Sequence, residues 1–274
     1  MQKSNWLNLA LLTFVIILAS VIYLSEEKST ALERLSDIDT SEITSIIIEH
    51  NQSTTAILRQ EDNHWQIIQP VTIAANEFRI NSLLKLINSP VHSKYSVAEV
   101  DMASMGLDKP ATSIKLNDQT ITFGITNPAT NLTYIKLGGS VYTIEDVYYP
   151  LLSSNFGTLV SLNLLPKTDR IEKLILINQT ISRNEKGLLQ SNIDISADNI
   201  NKTIDHWSHD QAFGVHEFLS REELGEVFIY IKGQQQPVSY LITDTDPWLI
   251  LARPEIGLEY HLDIEAYDNL ITPQ

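Results

Sequence analysis

Two short runs, ITSIIIEH (Ile43 to His50) and IEKLILIN (Ile171 to Asn178), open two successions of elements that follow the same order. Both are dominated by aliphatic residues, many of them β-branched, and are too short for a packed helix, so both read as strands. After the first, TTAILRQ and HWQIIQP flank the turn Glu61-Asp62-Asn63 and stop at Pro70. A helix is then expected from an N-cap at Asn76, with Glu77 placing negative charge on its first turn. Its apolar face is read as Phe78, Ile80, Leu83, Leu84 and Ile87, and Ser89-Pro90 stops it. Four short strands follow, ATSIKL, TITFGI, LTYIKL and SVYTI, with tight turns at Asn117-Asp118 and Gly138-Gly139. A helix from Asp146 onward closes this succession. After the second run, KGLLQSN, ADNINKTIDHW, EVFIYIKG, PVSYLIT, PWLILAR and GLEYHLDIEAYDNL replay the order, with loops absorbing the differences in length.

A unit of this kind is α+β, with a helix on one face of a mostly antiparallel sheet. The expected fold is therefore two tandem repeats of a strand-strand-helix-multistrand unit, over residues 43–158 and 159–274. The boundary falls in Ser153 to Asp169, where Gly157 and Pro166 punctuate an apolar stretch. Two such units could pack side by side or share one long sheet, and the sequence leaves both open.

Ahead of the repeats, Trp6 to Leu24 carries no charged residue and matches the length that crosses a hydrocarbon core as a helix. Lys3 precedes it, while Glu26 and Glu27 follow. The expectation is an N-terminal transmembrane anchor over 6–24, with 1–5 cytoplasmic, 25–42 a juxtamembrane stalk and the bulk outside the cytoplasm. A cleaved signal peptide fits less well, because the apolar run is long and no A-x-A-like site follows it.

Composition narrows the function classes. The formal net charge is −15, with no basic stripe to offset it, which argues against nucleic acid as a partner. There is no cysteine, so disulfides, thiolate metal sites and cysteine nucleophiles are excluded. No G-x-S-x-G, phosphate-binding glycine loop or H-E-x-x-H occurs.

The candidates for chemistry are few. In DHWSHDQAFGVHE (Asp205 to Glu217), His206, His209 and His216 with nearby carboxylates are the residue types that hold zinc. Yet Ile200, Ile204 and Trp207 define the buried face of the expected helix, which turns His206 and His209 toward water. Asp244 and Asp246 could bind calcium or act as acid and base, but Asp beside Pro between strands is ordinary turn chemistry. Glu145-Asp146 reads as charge facing the positive end of the closing helix. No catalytic, cofactor-binding or metal-binding residue is therefore expected. Trp65, Trp207 and Trp248 read as core or sheet-face residues, with an aromatic groove for a ligand as the alternative.

The anchor, Trp65 with Pro70, the Ala75-led helix with Leu83-Leu84, GLDKP, TFGI, Tyr134 and Val141-Tyr142 occur here in a specific order. That order resembles the bacterial domain-of-unknown-function family four-three-four-zero, whose members are envelope proteins often encoded beside ABC transporters of the gliding-motility auxiliary type. The resemblance brings no catalytic residues. It implies a single-pass bacterial inner-membrane protein facing the periplasm, with membrane-protein partners. The expected function is a non-catalytic accessory or scaffold subunit; the alternatives are a carbohydrate- or lipid-binding module and, on scattered acids and histidines, a hydrolase.

Overall fold

The computed structural model describes Trp6 and residues 11–20, 32–166 and 170–273. Its first sheet contains β1 (Ser45–His50), β2 (Ser53–Arg59), β3 (Trp65–Gln69), β4 (Ile73–Ala74), β5 (Ser93–Ser96), β6 (Thr112–Leu116), β7 (Gln119–Thr126), β8 (Leu132–Leu137) and β9 (Ser140–Glu145). Its second contains β10 (Ile171–Ile175), β11 (Thr180–Arg183), β12 (Leu189–Ser191), β13 (Gly214–Glu217), β14 (Gly225–Ile231), β15 (Val238–Asp244), β16 (Trp248–Arg253) and β17 (Leu258–Asp263). The spatial orders are β4-β3-β2-β1-β6-β7-β8-β9-β5 and β12-β11-β10-β14-β15-β16-β17-β13. Apart from β4, each strand of the first sheet has a counterpart at the same place in the second. The helices α1 (Glu77–Leu84), α2 (Tyr149–Leu152), α3 (Ala197–His209) and α4 (Ala266–Leu270) also recur in order, α1 with α3 and α2 with α4.

The expected fold class needs a correction. The fold is α+β, but two antiparallel sheets dominate it and the helices are few and short. Among the described residues no helix is long and apolar enough to cross a membrane. Residues 11–20 are helical, and ten residues at 1.5 Å each span only about 15 Å, half of a hydrocarbon core of about 30 Å. Residues 7–10 and 21–24 of the expected anchor, like 1–5, lie outside the described residues. The expected single-pass location in a bacterial inner membrane, with the bulk periplasmic, is overturned by the same finding. Beyond Leu32, the segment read as a stalk lies against the first unit: Leu35 is buried and its N–H donates to Ser89 O at 2.9 Å, while Val91 N–H donates to Glu33 O at 2.8 Å.

Local chemistry explains the elements. Asn76 caps α1 by accepting from Arg79 N–H at 3.2 Å, and the Glu77 carboxylate accepts from Trp65 N–H at 2.8 Å. Ile80, Leu83 and Leu84 face the core, but Phe78 is 81% exposed. At about 100° per residue it stands on the opposite side of the helix from Ile80, which corrects its expected place on the buried face. Asn117 sits in the left-handed region (φ 48°) between β6 and β7. Its Oδ1 accepts from Thr44 N–H at 3.0 Å and Ser45 N–H at 3.1 Å, and its Nδ2 donates to Glu42 O at 3.0 Å. In the second unit Trp207 is fully buried, and its indole N–H donates to Leu270 O at 2.9 Å, tying α3 to α4. Its ring lies 5.7 Å from Tyr240, which lies 5.7 Å from Tyr260.

The segment between the units is built into both. Ala75 and Val160 form a bridge; Asn76 N–H donates to Leu159 O at 2.7 Å and Ser161 N–H to Ala74 O at 2.9 Å. On the other side Asn163 bridges Gln211, and Ala212 N–H donates to Leu162 O at 2.9 Å. Gly157 is packed so closely that a Cβ there would meet Leu258 Cδ2 at 3.1 Å and Val215 O at 3.3 Å.

Replacing Asn117 by Ala removes these three hydrogen bonds and a longer one from Thr44 Oγ1 at 3.4 Å, leaves a Cβ in a left-handed turn, and is expected to cost about 2–3 kcal/mol. Asn117→Gly keeps the backbone freedom and should cost about 1–2 kcal/mol. Urea denaturation of the three proteins measures the difference.

Candidate functional site

Two places concentrate unusual chemistry. The first is a cavity of ≈ 390 Å³ at the turn end of the β1–β2 hairpin, beside the end of β3. Its floor is the core-facing side of the β1–β2 hairpin, where Ile48 pairs with Thr55 and His50 with Ser53. Gln69 and Pro70 form one wall, and the segment from Leu151 to Phe156 with Leu159 forms the roof. The roof is held down because α2 packs against β1 and β6 and because Asn155 Oδ1 accepts from Gly157 N–H at 2.8 Å. His50 has both ring nitrogens engaged. Asn51 Nδ2 donates to Nε2 at 2.9 Å, which places the ring proton on Nδ1, donating to Thr112 Oγ1 at 2.7 Å. The Tyr149 ring stands edge-on to the imidazole at 6.3 Å.

The second place lies on β13 and β17. Along β17, Leu258, Tyr260 and Leu262 are buried in the core, so Glu259 and His261 point to the other face. Glu259 is nevertheless 1% exposed, because the loop between β13 and β14 folds over it. Arg221 from that loop holds the carboxylate with both nitrogens, Nη1 to Oε2 at 2.6 Å and Nη2 to Oε1 at 3.1 Å. Leu219 N–H donates to Oε2 at 3.0 Å and His261 Nε2 lies 2.8 Å from Oε1. His216 sits directly across the ladder from Glu259, its ring 4.5 Å from that of His261. Phe213 and Trp248, both exposed, meet edge to face at 5.1 Å beside this cluster.

Electrostatics follow from this geometry. Burial alone pushes the Glu259 carboxyl up, but the bonds from Arg221, Leu219 and His261 outweigh it and hold the group below the ordinary carboxylate range. Burial lowers His216, and the neighbouring His261 and Arg79 lower it further against the pull of Glu259. In the core behind, burial pushes the Tyr260 phenol up to about 12 despite Arg253 nearby. These are the marks of a satisfied ion pair; every strong acceptor position of Glu259 is already used.

The structure separates the three histidines read from the sequence. His206 pairs with Asp210 at 2.9 Å and His209 with Asp205 at 2.9 Å, both one turn apart on or at the end of α3. His216 stands on β13 instead. Among the described residues no group of three or more histidines and carboxylates could hold a metal ion. Asp244 Oδ1 accepts from Thr245 and Asp246 N–H groups at 2.8 and 3.1 Å, closing a turn. Glu145 ends β9, and Asp146 Oδ2 accepts from Thr126 Oγ1 at 3.3 Å. Helix α2 starts only at Tyr149 and has no acidic residue in its first turn, so the capping role read for the Glu145-Asp146 pair is corrected. Trp65 and Trp207 are core residues, whereas Trp248 is exposed. The Arg221–Glu259–His261 group was not singled out from the sequence. Its only signal is the alternation LEYHL, in which polar residues fall at every second position of a strand.

Residues 65–208 match the family described as Domain of unknown function (DUF4340), more than half of the chain. The chain belongs to the DUF4340 family. No curated protein matches it. The DUF4340 match runs from β3 through the linking segment into α3, so it includes the roof of the cavity and excludes Glu259 and His261.

Removing Arg221 leaves a carboxylate desolvated beside a single imidazole. Arg221→Ala is expected to cost stability toward the low end of about 3–5 kcal/mol, since water reaches the arginine side of the pair. Adding Glu259→Val, the residue type found at the matching Val141 of β9, should restore most of the loss in denaturant titrations. Acid should act in two stages. The unfolded chain protonates a histidine near its ordinary value of about 6.5 before folded His216 does, and a carboxylate near about 4.3 before folded Glu259 does. Stability is therefore lost as pH falls through each depressed value, and His216→Ala should remove the upper stage from a plot of Tm against pH.

Proposed function

We propose that this DUF4340 protein is a non-catalytic accessory or scaffold subunit that works in an ABC-transporter-type complex. The observation that carries this reading is the clamped pair of sheets. Two units of the same strand order are joined through backbone hydrogen bonds to a shared segment, giving a broad, fixed platform for other chains. The family resemblance supplies the setting, because its members are often encoded beside such transporters. A net charge of −15 favours partner faces of opposite sign.

The test is affinity purification of the tagged chain in mild detergent, followed by identification of what comes with it. Permease or ATPase subunits of a transporter are expected, released progressively as salt is raised. Recovery of the chain alone, at low salt and after cross-linking, overturns the reading.

A further inference from the structure

The duplication lets the cavity be compared with the same place in its own copy. Each unit opens with a hairpin closed by two residues. His50 faces Ser53 across Asn51-Gln52, and Leu176 faces Gln179 across Ile177-Asn178, with Leu176 N–H donating to Gln179 O at 2.8 Å. The register then equates Ile48 with Leu174 and Thr55 with Ile181. Ile48 pairs with Thr55 and Ile114; Leu174 pairs with Ile181 and Ile229.

In the second unit this place is packed. Leu176, Ile181 and Gln179 are all buried, and the Gln179 amide donates to Pro273 O at 3.3 Å. In the first unit the equivalent positions carry an imidazole and two hydroxyls, and ≈ 390 Å³ stays open. The fold therefore accepts aliphatic residues at two of these three positions and a buried, bonded amide at the third, and the first unit departs from that solution.

We propose that this cavity is a binding site for a small uncharged polyhydroxylated ligand, a sugar ring or a polyol of similar size. The volume lies within the range of about 300–1,000 Å³ usual for small-molecule sites. Among the described residues no Asp, Glu, Lys or Arg lines it, so a charged ligand would be desolvated there without a counter-charge from them. The lining has two characters that match the two faces of a sugar ring. Ile48, Leu152, Phe156 and Leu159 present apolar surface to C–H groups. Thr55 Oγ1, Ser53 Oγ and the Gln69 amide make no hydrogen bond among the described residues, which leaves donors and acceptors for hydroxyls. An alkyl chain in the same place would leave those groups unpaired.

The test uses the full chain, with isothermal titration calorimetry and saturation-transfer NMR. The probes are glucose, galactose, N-acetylglucosamine and myo-inositol, set against inorganic phosphate and dodecanoate. At least one neutral probe is expected to bind saturably. Thr55→Ile, which installs the residue of the second unit, should weaken that binding tenfold or more while circular dichroism shows an unchanged fold. Gln69→Ala, at an exposed position, should weaken it several-fold and carries the test if Thr55→Ile fails to fold. Binding of phosphate or dodecanoate alone, binding of none of the probes, or full affinity in a folded variant would each overturn the assignment.

Discussion

Backbone hydrogen bonds along residues 159–162 hold the molecule together as one object. On one side this segment pairs with Ala74, Ala75 and Asn76, and on the other with Ala212. Leu159, Val160, Leu164 and Leu165 are buried, so the bonds are made in a dry environment where leaving them unmade is costly. The other features of the first unit lean on this arrangement. The roof of the cavity is the stretch just before it, and Arg79 of α1 donates to Thr158 O within it. Gly157 is tight against Leu258 and Val215 of the second unit, so a shift of β13 or β17 would move the roof as well.

Duplication also shows which features the architecture needs. Tyr142 on β9 and Tyr260 on β17 occupy matching positions by ladder register, and both are buried. Between matching neighbours, Val141 and Glu259 are both buried, one apolar and one charged. A buried ion pair is weak evidence for stability, since well-packed apolar residues often serve as well. The copy with valine makes that argument within one chain. Glu259 gives the loop carrying Arg221 and Leu219 a fixed seat on β17, which an apolar residue could not specify.

Much of the fold was legible because its signals are local. The order of strands and helices, the Asn76 cap and the turn at Asn117 each depend on a handful of adjacent residues. Phe78 is apolar, but its angle around the helix turns it to water. Glu145-Asp146 precedes a helix in sequence but does not cap it, because the chain bends for three residues before α2 begins. Hydropathy over a length is what marks Trp6–Leu24 as a span, and the described helix does not reach that length. Neither the cavity nor the Glu259 cluster could be read from spacing. His216, Arg221 and Glu259 meet only through the pairing of β13 with β17, and Thr55 faces empty space only because the linking segment crosses above it.

The linking segment has one more consequence. Its isolated bridges at Ala75 and Gln211 lie next to β4 and just ahead of β13, the terminal strands at one end of each sheet. The outermost strands at the other ends are β5, Ser93–Ser96, and β12, Leu189–Ser191. Each is only three or four residues long. Short borders of this kind offer few ladder bonds to a passing chain, which is how sheet proteins resist growing into fibres. Among the described residues, β5 and β12 are thus poor templates for runaway self-association.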